Sequence, residues 1–238
     1  MPFKLEADKI ISTVERLRDR IGERFPEAGL YKVAGDFLSL SREAAERAKN
    51  IGKPLIPLRA GIALLLLAFL FVLAQTAAGL HVAGNFGNLT DLIQAVEASF
   101  NIIILLSGAI FFLVTLETRI KRKQALEMIH ELRVLAHLVD VHQLTKDPEQ
   151  LLSQGRSTPS SPRRTMERFE LLRYLDYCGE ILSLTGKVAA LYAQHFNDAV
   201  VLEAVDGVED LCNAFAQKIW QKIDIISREG GRAPEKAG

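Results

Sequence analysis

Ala60–Leu80 and Phe100–Leu116 are uncharged apolar runs of twenty-one and seventeen residues, and few water-soluble folds of 238 residues have room for two such segments. As helices rising 1.5 Å per residue they would extend about 30 Å and 25 Å, close to the thickness of a bilayer core. In hydrocarbon every backbone N–H and C=O must find its partner within the segment, and a helix achieves this. The runs therefore predict two membrane spans, at about 60–80 and 100–116, joined by an outer loop at 81–99.

The distribution of basic residues sets the expected orientation. Lys49, Lys53 and Arg59 lead into the first run, and Arg119, Lys121, Arg122 and Lys123 leave the second. The intervening loop carries only Asp91 and Glu97 as charged residues. Lys and Arg near span ends resist translocation, so both termini are expected in the cytoplasm, with the loop outside. The first run begins near residue 60, too far along for a cleaved signal peptide, and is expected to remain as an anchor. These features together predict a multi-pass protein of a bacterial inner membrane, with the lipid bilayer as its first partner. Cys178 and Cys212 fall on the cytoplasmic side and are expected to stay reduced.

Basic and acidic residues balance at 29 each, and nothing global points to nucleic acid. Outside the spans the apolar residues recur at helical spacing. Ile10, Val14, Leu17 and Ile21 mark a helix over 4–25, ended by Pro26 and Gly29. Leu30, Val33, Phe37, Ser41, Ala44 and Ala48 mark a second, and Gly52, Pro54 and Pro57 interrupt the chain before the first span. From Asp91 to Thr145 there is no proline and a single glycine, Gly108, so one helix of up to about 80 Å is allowed.

Residues 147–165 are rich in Pro, Ser, Gln and Gly and read as a flexible linker. Two further helices are expected, at about 166–196 and 198–227, the second capped by Asp198. Phe169, Leu172, Leu175, Leu182, Val188 and Tyr192 are assigned to the apolar face of the first. Val201, Val205, Val208, Phe215, Ile219 and Ile223 are assigned to that of the second. Trp220, among these, is expected to pack.

The predicted fold class is thus all-α: a transmembrane hairpin (54–118) with a cytoplasmic helical bundle. The bundle comprises N-terminal amphipathic helices (1–53), an extension helix (119–146), the linker (147–165) and a C-terminal helical pair (166–228). A disordered tail (229–238) follows.

Residues able to carry chemistry are few. His130, His137, Asp140 and His142 gather in thirteen residues, and Asp140 stands where it could orient His137. A single-helix metal chelate needs ligands at i and i+3 or i+4, whereas His130 and His137 lie seven apart, about 10 Å along the axis. The segment is apolar on nearly all sides and is expected to be buried among neighbours. A metal- or proton-linked site between subunits is the alternative.

Asp176 and Glu180 lie four apart, with Lys187 as a local ion-pair partner for Glu180. Glu203, Asp206, Glu209 and Asp210 make the start of the last helix acidic. The spans hold no ionisable residue, which argues against a proton or ion pump. Gln75, Asn101 and Ser107 are the candidate lining of a pore, which two helices could enclose only as an oligomer.

No nucleotide-binding loop, strong metal spacing or catalytic triad signature is present, and no cofactor is implied. The expected function is a non-enzymatic, membrane-anchored assembly or sensory module. It would homo-oligomerise through its helices and could hold a cytoplasmic protein partner. An oligomeric channel is the first alternative, and a metal- or pH-sensitive site on the 119–146 helix the second.

The stretches His130–Pro148 and Tyr174–Gln194 resemble segments of bacterial two-span helical membrane proteins. That resemblance implies the hairpin and brings no activity. Two spans followed by a long cytoplasmic helix are also similar in architecture to the pore-forming effectors of bacterial conflict systems.

Overall fold

The computed structural model describes residues 4–82, 89–146 and 166–230. The expected linker at 147–165 lies outside the described residues, as do loop positions 83–88 and the tail from 231. Among the described residues there are six α-helices and no strand: α1 (Ala7–Arg24), α2 (Gly29–Ile51), α3 (Ile56–Val82), α4 (Leu89–Leu144), α5 (Arg168–His195) and α6 (Ala199–Gly230). The last helix runs through 229 and 230, where the sequence predicts the tail to begin. The chain divides into two compact units. One holds residues 1–52 and 124–238, the other 53–123.

The first unit is a helical body built around α5. On this helix Leu171, Tyr174, Leu175, Tyr177, Cys178, Ile181 and Leu182 are all buried, and the pattern continues through Leu184, Val188 and Tyr192. Apolar residues on nearly every side mark a central helix rather than a surface one. Helix α1 buries Ile10, Val14, Leu17 and Ile21, and α2 buries every position on its predicted face together with Ala34, Leu38 and Ile51.

Three contacts set the direction of α1 against α5. The Leu5 N–H donates to Gln194 Oε1 at 2.7 Å, Arg20 pairs with Glu180, and the Phe25 ring meets Tyr174 edge-on at 5.6 Å. The start of α1 thus lies at the end of α5, and the two helices run antiparallel. A Cβ on Gly52, just past the end of α2, would lie 3.6 Å from the His195 carbonyl oxygen, so the ends of α2 and α5 adjoin.

Within this unit α4 buries Ala125, Met128, Ile129, Leu132, Leu135, Ala136 and Val139, a stripe spaced by three and four residues. Its end finds a cation: Lys222 Nζ of α6 donates to the Gln143 carbonyl at 2.9 Å and, just past the helix, to that of Lys146 at 3.4 Å. A positive group here offsets the negative end of the helix dipole. Helix α6 starts as its sequence predicts. Asp198 Oδ1 accepts the backbone N–H groups of Val200 and Val201 at 3.2 and 3.3 Å. These donors would otherwise lack a partner in the first turn.

Two expectations about side-chain faces need correction. Phe169 is 58% exposed, its ring covered by the Arg24 and Arg173 guanidinium groups at 5.2 and 5.8 Å. Trp220 is 67% exposed. Burial on α6 follows Val201, Val205, Val208, Cys212, Phe215 and Ile219, and Trp220 falls one position past that stripe.

The second unit contains α3 and the first part of α4, and both helices are long and apolar enough to cross a membrane. Their most apolar stretches bury nothing. Leu64, Leu70 and Phe71 of α3 and Ile104, Leu105 and Phe111 of α4 are all exposed. At one end Glu117 joins the two helices. Its carboxylate accepts the Leu55 N–H at 3.3 Å and pairs with Lys121 at 2.8 Å and Arg59 at 3.6 Å. Basic residues dominate the sequence at these span ends, and the lone acid among them is the local sign of a tie between the helices.

Candidate functional site

A groove of about 530 Å³ lies between α5 and α6 of the helical body. Two glycines of α5 shape it. A Cβ on Gly179 would meet no atom within 4 Å, so the groove is open there. At Gly186 a Cβ would lie 3.5 Å from Glu209 Cγ, an ordinary van der Waals contact, so α5 and the stem of Glu209 lie side by side there. Leu175, Leu182 and Ile219 give the groove an apolar floor, and the exposed Trp220 indole stands in its lining.

The charged lining is mostly acidic, with Asp176 and Glu180 from α5 and Glu209 from α6 against Lys187, and Ser183 and Asn213 add neutral polar groups. Burial pushes the Asp176 carboxyl above the usual carboxylate range; Arg173, 3.5 Å away, opposes the rise and Glu180 adds to it. Glu180 is held by Arg20 across from α1 rather than by Lys187, whose ammonium instead donates to Ser183. The predicted local pair fails because seven residues along a helix is two turns, whereas Arg20 comes from a neighbouring helix.

Cys212 lies at the base of the same groove. Its thiol is almost wholly buried and pushed up to about 11, chiefly by loss of water. It is therefore a protonated, weakly polar wall rather than a thiolate.

The histidine-rich segment is not buried on all sides. His130, Val134, His137 and Val141 form one exposed face of α4, joined by Leu138 and Leu144. The His137 ring meets the edge of Phe215 at 5.4 Å. Asp140 accepts a hydrogen bond from Gln143 Nε2 at 2.7 Å. His142 is half-buried against Gly29, and burial, aided by Lys146, lowers its pKa. Among the described residues no three His, Cys, Asp or Glu side chains stand together as metal ligands do. The four predicted ligands therefore serve different surroundings.

The exposed stripe is sharply defined. Val134, Leu138, Val141 and Leu144 are 43%, 45%, 58% and 60% exposed, whereas Leu132, Leu135 and Val139 on the same turns are buried. Beside it, Leu40, Asp36 and Glu43 of α2 complete a shallow groove with Glu131, Val134 and Leu138. Helical spacing puts the histidines and valines on one stripe, as they are, but the expectation that this stripe is core fails. A helix with apolar residues on two faces gives no sign of which face its own chain covers.

In the second unit the predicted pore-lining residues Gln75, Asn101 and Ser107 are all exposed. Comparison with protein-family models, curated proteins and solved structures yields no match to this chain.

Proposed function

We propose that this chain is a non-enzymatic, membrane-anchored assembly or sensory module that homo-oligomerises through α4. In this reading α3 and the first part of α4 cross a bacterial inner membrane, and both termini and the helical body lie in the cytoplasm. Lys49, Lys53, Arg59 and the Arg119–Lys123 cluster support that orientation, because basic residues at span ends stay on the inner side.

The observation that carries the reading is the exposed stripe Val134–Leu138–Val141–Leu144. Four large apolar side chains on one face, backed by a fully buried opposite face, form a surface that water leaves exposed at a cost. A second copy of the same chain fits it best. Copies inserted in one membrane present α4 in the same direction and at the same depth, so identical stripes meet in register. The seven-residue repeat from Val134 to Val141 suits a parallel helix pair.

The test is the native mass of the detergent-solubilised protein with the detergent contribution resolved, for wild type and for Leu138→Glu/Val141→Glu. A defined wild-type oligomer that dissociates on substitution is expected. Both positions are exposed, so helical content should persist. A wild-type monomer at every concentration would overturn the proposal.

One observation favours a second reading, an oligomeric channel. Gln75, Asn101 and Ser107 are exposed on segments that otherwise present apolar side chains. A polar side chain facing lipid is unfavourable, and a neighbouring subunit or a water-filled axis would relieve it. Reconstituted oligomers should then conduct ions, and Gln75→Leu or Ser107→Leu should change the conductance. Well-formed oligomers that pass no current would remove this reading.

A further inference from the structure

The base of the helix pair in the second unit is built asymmetrically. Residues 53–59 and 117–123, which flank the apolar stretches of α3 and α4, carry six basic side chains and one acid. That acid, Glu117, faces α3. It accepts the Leu55 N–H and pairs with Arg59 and Lys121, and the side chains of Lys121 and Glu117 are only 12% and 14% exposed. A single carboxylate thus engages two of the six cations on the inner side of the pair.

The other cations of α4 point elsewhere. At 3.6 residues per turn, Arg119, Arg122 and Lys123 fall within about 100° of one another, on the side of the helix away from Glu117 and Lys121. Arg119 and Lys123 are exposed, and Arg122 is half-buried. Retention of basic residues on the inner side of a membrane depends on their number near the span. It does not require three of them to converge on one outward face.

The same face continues into the apolar stretch as hydrocarbon. Leu116 and Phe112 lie on it, about one and two turns before Arg119, with Thr115 beside them, and Phe112 is 62% exposed. One face of α4 therefore passes from apolar to cationic within about 10 Å, the order in which a phospholipid passes from acyl chain to phosphate. Guanidinium groups match phosphate oxygens with paired N–H donors, and lysine adds a point charge.

We propose that this face of α4 binds an anionic phospholipid. Arg119, Arg122 and Lys123 hold its phosphate and headgroup, and an acyl chain lies along Leu116 and Phe112. A zwitterionic lipid is disfavoured because its own cationic group would meet three cations, whereas each Lys or Arg near the surface adds to the attraction for a net negative headgroup. The proposal rests on the reading of α3 and α4 as membrane spans and is independent of self-association through Val134–Leu144.

The test titrates the full chain in mild detergent with phosphatidylglycerol, or with phosphatidylcholine of the same acyl chains, and counts bound lipids by native mass spectrometry. Phosphatidylglycerol should bind saturably and about tenfold more tightly than phosphatidylcholine, and added salt should narrow the difference. Arg119→Gln/Arg122→Gln/Lys123→Gln should remove that preference, with helical content intact by circular dichroism. Lys4→Gln/Arg16→Gln/Lys32→Gln, which takes three exposed cations from the helical body, should leave it unchanged.

Equal affinity of the wild type for the two lipids would overturn the proposal while leaving the spans in place. So would a preference that the α4 substitutions do not alter, or that the body substitutions reduce as much, which would mark attraction to net charge. Complete displacement of the lipid by inorganic phosphate would give the three cations to a soluble anion instead. A chain that stays dispersed without detergent and takes up neither lipid would reject the spans, and the lipid site with them.

Discussion

The imidazole of His142 occupies the space into which a side chain on Gly29 would project: a Cβ there would overlap His142 Cε1 and lie 3.2 Å from Nδ1 and Nε2. The start of α2 and the end of α4 meet at this point, and glycine lets them meet closely. Gly29→Ala should therefore destabilise the helical body modestly, by about 1 kcal/mol, because the group it meets is the far end of a side chain that can turn aside. Chemical denaturation of the full chain in mild detergent measures the loss. His142→Ala in the same background should recover part of it, and the two substitutions should be strongly non-additive. Additive effects would show that the imidazole moves aside freely.

The same contact makes stability depend on pH. Burial, with Lys146 nearby, lowers the His142 pKa below its ordinary 6.5, so the folded chain holds the neutral ring. On acidification the unfolded chain takes up the proton first. This contribution to stability is therefore complete above about pH 6.5 and is lost as pH falls through the window below it. Thermal unfolding followed between pH 7.5 and 5.5 should show the midpoint falling, and His142→Gln should flatten that slope. An unchanged slope would assign the acid sensitivity to carboxylates instead.

Much of this arrangement is legible in the amino-acid sequence, and the parts that are not share a physical cause. The α1 stripe of Ile10, Val14, Leu17 and Ile21 is buried as its spacing predicts, and Asp198 caps α6. Local period and local capping determine such features. The unbroken helix through Leu89–Leu144 follows from the lack of any proline. What a linear pattern does not carry is which helix stands beside which. Trp220 and Phe169 look like core residues by composition, yet they lie just off the buried stripe. Arg20 takes Glu180 away from Lys187 across 160 residues of chain. The apolar face at Val134, Leu138 and Val141 carries the period of core and is left uncovered. Most of the groove's residues stand out singly in the sequence, but only the pairing of α5 with α6 brings Asp176, Glu209 and Trp220 to one lining.

Tyr192 offers a sharp test of core polarity. Its ring is fully buried, and its hydroxyl has no hydrogen-bond partner among the described residues. Loss of water accordingly raises its pKa well above the tyrosine range, so it stays neutral at any working pH. An unpaired buried hydroxyl costs about 1–3 kcal/mol. Removing it while keeping the ring should be neutral or stabilising, so Tyr192→Phe should unfold at an equal or higher denaturant concentration. Tyr192→Ala should lose about 3–5 kcal/mol through the cavity it leaves. A marked loss in the phenylalanine variant would mean that the hydroxyl is hydrogen-bonded in solution.

The two cysteines should be chemically silent in the folded protein. Cys178 is fully buried, and loss of water pushes its thiol up to about 12; Cys212, at the base of the groove, is pushed up to about 11. Only the thiolate attacks an alkylating agent, so at pH 8 the reactive fraction is about a thousandth or less at each site, and burial restricts access further. Mass spectrometry after brief iodoacetamide treatment should find native protein unmodified and denatured protein carrying two labels. Cys212 should respond first to any loosening of α6 against α5, because it lines a groove that reagent can enter, whereas Cys178 lies in the core of the central helix. Equal labelling rates for both thiols in the native state would mean that the whole body opens as one unit, and that the groove is no readier to open than the core behind it.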